Sequence, residues 1–195
     1  MFTGIIKGQG ALIQIKPVAQ SLQVLVRHGG LGRGVRIGDS VAVNGCCLTV
    51  IKNQRGVFQF DVLNETWERT SFHASRVPER VNLELPLRWG EPIGGHLVTG
   101  HVDATGVITR YRKKNRDVLI EIEPPVKFMR WIVPKGSVAL DGTSLTIASV
   151  AKRRFGIWLI PHTLKLTTLG WKREGGLVNL EADMLAKYAQ KGLLR

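Results

Sequence analysis

The sequence predicts an all-β protein made of two tandem copies of one small barrel module, followed by a C-terminal α-helix. Three observations carry this. A motif recurs at one fixed offset along the chain. Apolar and polar residues alternate at period two in the segments between. Short glycine turns punctuate those segments, among 22 glycines in 195 residues.

The repeat sets the domain organisation. Thr3-Gly4-Ile5 at the start faces Thr99-Gly100-His101 in the middle. Asn44-Gly45-Cys46-Cys47-Leu48-Thr49-Val50 matches Asp141-Gly142-Thr143-Ser144-Leu145-Thr146-Ile147, 97 positions on. At the same offset Phe58 meets Phe155, Thr66 meets Thr163 and Thr70 meets Thr167. Val81-Asn82-Leu83-Glu84 meets an identical Val178-Asn179-Leu180-Glu181. A period this long exceeds the roughly 20–50 residues of solenoid repeats, so it means a duplicated domain. The expected boundaries are 1–94, 95–182 and 183–195, with the join at Gly94-Gly95-His96.

The elements follow in order. Asn44-Gly45 and Asp141-Gly142 are tight-turn signals before strands. Phe58–Val62, Val81–Leu85 and Ile120–Glu123 alternate as half-buried strands do. Arg55-Gly56 and Glu174-Gly175-Gly176 read as turns. Many short strands joined by glycine turns suggest a small closed barrel. Asp183 caps a helix expected from Met184 to about Lys191, with Gly192 as its stop. Leu185 and Tyr188 share a face with Met184, so that helix needs a partner surface, such as another subunit.

Composition excludes several classes. Hydrophobic residues at 44% are a globular level. No apolar run approaches the ~20 residues of a bilayer span, and the start does not read as a secretory signal. Two adjacent cysteines build no disulfide framework and fit a reducing, cytoplasmic setting. No structural or protease-type zinc motif is present, nor a dinucleotide fingerprint or phosphate loop. The net charge of +13 and pI near 10.4 point to acidic partners. The basic blocks Arg110–Arg116 and Lys152–Arg154 sit where hairpin tips are expected, and no nucleic-acid-binding signature accompanies them. Nucleic-acid binding is therefore the weaker reading.

The two copies agree in frame and differ at polar positions. Cys46-Cys47 stands where the second copy has Thr143-Ser144. Residues after the two tight turns are expected at a barrel mouth, where ligand sites form. Hydroxyls of Thr49, Thr66, Ser144 and Thr146 suit a polar heterocycle. Cys46 and Cys47 must point to opposite faces of a strand, so at most one faces a site. A histidine such as His96 or His101 is the natural proton carrier beside such a site. The residues alone thus indicate a duplicated β-barrel with two related small-molecule sites.

Met1–Ile6, Asn44–Val50, Gly94–Asp103, Lys135-Gly136-Ser137 and Asp141–Thr146 closely resemble the riboflavin synthase family, the alpha-chain type of lumazine-binding double-barrel proteins. The resemblance runs from Met1 to about Tyr188. It implies two tandem six-stranded antiparallel Greek-key barrels and a homotrimer gathered by the C-terminal helices. It implies dismutation of two 6,7-dimethyl-8-ribityllumazine molecules into riboflavin and 5-amino-6-ribitylamino-uracil. One molecule gives a four-carbon unit to the other, without metal or cofactor. The site is implied to form between barrels of neighbouring subunits.

The resemblance also implies roles for residues. Gly4, Ile5 and Ile6, with Cys47, Leu48 and Thr49, would line the first pocket. Asp61, Val62, Leu63, Asn64, Glu65 and Thr66 would join them. Gly100, His101 and Val102, with Ser144, Leu145 and Thr146, would line the second. Ile160, Pro161, His162, Thr163, Leu164 and Lys165 would complete it, with Asp183 nearby. Lys135 would reach a neighbour's ligand. Ser40, Cys47, Thr66 and His101 would lie near the reacting carbons, with Phe2 packed beside them. Trp67 is bulkier than the aliphatic residue expected there. Antenna-type relatives of the same fold bind a lumazine without catalysis.

Overall fold

A computed structural model of the chain describes residues 1–18 and 20–193. The first module contains β1 (Gly8–Val18), β2 (Ser21–Arg27), β3 (Ser40–Val43), β4 (Cys46–Gln54), β5 (Val57–Leu63) and β6 (Glu79–Glu84). These strands close into a barrel in the order β1-β2-β5-β4-β3-β6, with antiparallel pairings throughout. Alternation fills it: Phe58, Phe60 and Val62 of β5 and Val81 and Leu83 of β6 point inward and are buried.

The second module contains β7 (Ala104–Lys114), β8 (Asp117–Glu123), β9 (Ser137–Leu140), β10 (Thr143–Thr146), β11 (Ser149–Val150), β12 (Phe155–Leu159) and β13 (Leu177–Ala182).

 The sheet order is β10-β9-β13-β7-β8-β12-β11, so its two ends, β10 and β11, are successive pieces of one strand. In the second module the strand expected after Asp141-Gly142 is thus split in two. The break falls at Ile147-Ala148, where the Ile147 amide donates to Gly136 and the Ala148 amide to Gly156. The first module has only a register shift at the matching place, between Val50 and Lys52. The second module is therefore a curled seven-stranded sheet around its own core, which includes Ile120, Ile122, Phe155 and Leu180.

Two short helices were not expected from the sequence. α1 (Asn64–Arg69) follows β5 and α2 (Pro161–Leu166) follows β12. Six residues are too few to show a helical period, and neither helix has a side-chain N-cap. Their ends explain the repeated threonines. Thr70 Oγ1 donates to the Thr66 carbonyl at 2.8 Å, and Thr167 Oγ1 to the Thr163 carbonyl at 2.7 Å. Trp67 lies against Phe72 with ring centroids 6.3 Å apart, and packs on the barrel core.

The C-terminal helix α3 spans Met184–Leu193, and Asp183 Oδ1 accepts the Leu185 amide at 2.9 Å. Gly192 does not stop it. It has no left-handed φ of the kind that ends a helix, and the helix runs through it. The last two residues of the expected 183–195 segment lie outside the described residues. Among the described residues, no helix is long and apolar enough to cross a membrane.

The two tight turns meet between the modules. Asn44 and Gly45 have φ of 45° and 76°, and Asp141 and Gly142 have 44° and 77°, the left-handed pair that such turns need. Hydrogen bonds cross symmetrically between the modules. Asn82 Nδ2 donates to the Asp141 carbonyl at 2.9 Å, and Asn179 Nδ2 to the Asn44 carbonyl at 2.8 Å. All four residues are buried, so each lost partner costs about 1–3 kcal/mol. Burial also pushes the Asp141 carboxyl up, against the opposing pull of Lys172. A Cβ on Gly45 would stand 2.5 Å from the Gly142 backbone nitrogen. Gly45→Ala is expected to lower the melting temperature by roughly 10 °C or more, read by calorimetry, because backbone cannot move aside there.

Candidate active site

Each module carries the same strap of chain, and a buried carboxylate holds each one. Glu84 Oε1 accepts the Thr3 amide at 2.7 Å and its hydroxyl at 2.8 Å, while Oε2 accepts the Gly4 amide at 3.1 Å. Glu181 does the same for Thr99 and Gly100, at 2.6, 2.7 and 2.9 Å. Burial raises both carboxyls, and these hydrogen bonds oppose the rise. The straps also pair with each other. Phe2 donates to the Val98 carbonyl at 2.7 Å and accepts its amide at 3.1 Å. Phe2 is fully buried there, with Ala42, Val98, Ala139 and Cys47 around it.

The straps cross over, and this corrects the expected grouping of residues. Gly100 lies on the first module, where its carbonyl accepts the Cys47 amide at 2.8 Å. Gly4 lies on the second, where its carbonyl accepts the Ser144 amide at 2.8 Å. Gly100–Val102 therefore belong with Cys47, and Gly4 and Ile5 with Ser144. The chain runs from each strap into its own module, so the spacing of the repeat does not reveal which barrel the strap covers.

The first site is a cavity of about 300 Å³. It unites Cys47, Glu65, Thr66, Gly100, His101 and Val102, all named from the sequence. Arg69 and Thr70 also line it and were not named. Cys47 sits on the outer wall of the barrel under the strap, rather than at the expected mouth. Cys46 points into the barrel core, and burial pushes its thiol up to about 12. Cys46 is thus a poor nucleophile at neutral pH. His101 is exposed at the cavity, with its amide 3.3 Å from Thr99 Oγ1.

Ser144 lies under the other strap. Its hydroxyl lies 2.7 Å from His96 Nδ1, a pairing that the sequence did not reveal. His96 Nε2 is buried without a partner among the described residues. Burial lowers the pKa of His96, and the Asp183 carboxylate partly opposes this. Folding thus favours the neutral ring. Its stabilisation is present above the unfolded value of 6.5 and is lost as pH falls through the lower folded value. The melting temperature is expected to fall more steeply between about pH 7 and 5 in the parent than in His96→Gln.

The remaining named residues divide by direction. Leu48 and Leu145 pack on the two barrel cores, while Thr49 and Thr146 are exposed on the outer walls. Val62 is a core residue, so only its backbone can meet a ligand. Asp61, Leu63, Asn64, Ile160, Pro161, His162 and Lys165 are exposed, and Ile6, Thr163 and Leu164 are half-buried. Ser40 pairs with Thr49 across β3 and β4, on the same wall as Cys47. Lys135 is exposed, with a left-handed φ of 67°, and its amide donates to the Ile147 carbonyl at 2.9 Å. Asp183 caps α3. Glu84 and Glu181 went unnamed, although their identical Val-Asn-Leu-Glu context marked them.

The fold and its matched straps define a protein of two like β-modules. The lumazine binding domain family model matches residues 3–86 and again 99–183. Riboflavin synthase of Actinobacillus pleuropneumoniae is 39% identical over 195 residues, covering 100% of this chain and 91% of that protein. Riboflavin synthase of Mycobacterium bovis is 40% identical, covering 98% and 97%. That of Bacillus subtilis is 37% identical, covering 99% and 90%. The chain belongs to the riboflavin synthase family. In fold it is also similar to LumP in crystals with 6,7-dimethyl-8-(1'-D-ribityl) lumazine, with a TM-score of 0.85 at 23% identity, covering 93% of this chain and 99% of that one.

Proposed function

We propose that the chain is a riboflavin synthase. It dismutates two 6,7-dimethyl-8-ribityllumazine molecules into riboflavin and 5-amino-6-ribitylamino-uracil. The observation that carries this is the pair of matched cradles with unlike chemistry. Cys47 lies under one strap beside His101 of that strap, and Ser144 and His96 lie at the other. A reaction between two copies of one molecule, one giving and one receiving four carbons, needs two sites alike in shape and different in chemistry. The atoms of two substrates equal those of the two products, so no outside oxidant or water is consumed.

His101 takes a proton from the C7 methyl group, whose carbanion delocalises into the pteridine. Cys47, or a water it orders, adds to C7 of the other molecule with help from Ser40, and Thr66 lies beside them. Thr49 and Thr146 hydrogen-bond the heterocycle or its ribityl chain. Much of the acceleration comes from holding two reactants in a near-attack pose, which supplies ~7–11 kcal/mol.

The units are 1–94, 95–182 and 183–195, and the last gathers a homotrimer. Leu185 and Tyr188 on α3 support this, being 71% and 68% exposed on a helix with an apolar stripe. In that trimer Lys135 reaches the ligand of a neighbouring subunit. The free cysteines support a cytoplasmic setting. Equilibrium titration with the lumazine is expected to find two ligands per chain with unequal affinities. One ligand per chain, with no riboflavin formed, would assign the chain to the antenna type.

A further inference from the structure

We propose that the second module carries a separate pocket for a phosphorylated heteroaromatic ligand of nucleotide size. A cavity of about 540 Å³ opens between the β7–β8 hairpin, α2 and the segment around Trp171. That volume suits a small molecule. Four cations line it, Lys113, Arg116, Lys165 and Arg173, and no carboxylate does. Two aromatic residues, Tyr111 and Trp171, complete the polar and ring-bearing surface.

Some of the basic charge is already neutralised by carboxylates, but not the charge at this cavity. Arg110 and Arg154 share Glu121, and Arg153 pairs with Glu123 at 2.9 Å. Lys172 lies 3.4 Å from Asp141. Among the described residues, none of the four pocket cations has a carboxylate partner. They sit beside one cavity, where mutual repulsion is relieved by a multiply charged anion.

Part of the pocket is preformed. Arg173 Nη1 donates to the carbonyls of Lys172 at 2.7 Å and Gly170 at 3.3 Å. Its guanidinium lies 5.4 Å from the Tyr111 ring centroid. The Tyr111 hydroxyl donates to the Leu169 carbonyl at 3.4 Å, and the Tyr111 amide to Glu174 at 2.9 Å. Arg80 lies 4.3 Å from the Trp171 ring centroid and covers one face, and with Trp171 59% exposed the other face can meet a planar heterocycle. Arginine and lysine beside aromatic faces recognise phosphate and ring together.

The pocket is set apart from the lumazine cradles, although the resemblance placed Pro161, Leu164 and Lys165 in the second of them. Glu65, Thr66 and Arg69 of α1 line the first cradle, and the repeat maps them to His162, Thr163 and Leu166 of α2. The new pocket instead uses Pro161, Leu164 and Lys165, another face of α2. The lumazine itself carries a ribityl alcohol and no phosphate, so four free cations serve no evident need of its own.

The test is calorimetric titration of the full chain with ATP, adenosine, inorganic pyrophosphate and a single-stranded RNA oligomer. ATP is expected to bind saturably at one site per chain. Adenosine and pyrophosphate are each expected to bind at least ~10-fold more weakly. Arg173→Ala and Arg116→Ala are each expected to weaken ATP by at least ~10-fold, with riboflavin formation unchanged. Arg116 is exposed at the hairpin tip, so its variant keeps the test clear of folding defects. Absence of saturable ATP binding at millimolar concentration would overturn the proposal. So would pyrophosphate binding as tightly as ATP, ATP binding unchanged in both variants, or RNA binding in preference to ATP.

Discussion

His101→Gln is expected to lower riboflavin formation by about 10²–10⁴-fold while leaving lumazine affinity within a few-fold. His101 lines the cavity beside Cys47 and Thr66, where a ligand under the strap would meet it. Glutamine keeps the size and a hydrogen-bond donor, so it preserves contacts. It has no titrating nitrogen, so it removes proton transfer. Single-turnover kinetics beside a binding titration separate the two effects. Unchanged turnover would remove His101 from the proton step and leave catalysis to positioning by the cradles.

Gly100→Ala is expected to cost at least about 100-fold in turnover, with binding reduced to one lumazine per chain. Gly100 has φ +81°, and a Cβ there would lie 2.6 Å from Cys47 Cβ and 3.0 Å from the Cys47 amide nitrogen. The strap must lift, which breaks the 2.8 Å bond from the Cys47 amide to the Gly100 carbonyl. Gly4→Ala does the mirror damage at Ser144, where a Cβ would lie 2.6 Å from Ser144 Cβ. Each variant is thus expected to spoil one site and spare the other. An equimolar mixture of the two recovers activity if subunits exchange and one intact pair of sites re-forms between neighbours. Full turnover in either single variant would contradict the two-cradle account.

The duplication was plain in the sequence because matched residues do matched work. Asn82 and Asn179 bridge the modules, Glu84 and Glu181 hold the straps, and Thr70 and Thr167 end the short helices. The crossing of the straps was not legible, because a local repeat carries no information on which barrel a segment covers. The His96–Ser144 pair was hidden for the same reason, since 48 residues separate its members. The split of the strand at Ile147-Ala148 depends on backbone bonds to Gly136 and Gly156, and backbone bonds leave no mark in side-chain alternation. α1 and α2 escaped because six residues give a helix period too little room.

The most direct test mixes the purified protein with 6,7-dimethyl-8-ribityllumazine, without added metal or cofactor, and follows absorbance for riboflavin. The account predicts many turnovers, with one riboflavin formed for every two lumazines consumed. Tight binding of the lumazine with no riboflavin at any protein concentration would contradict it.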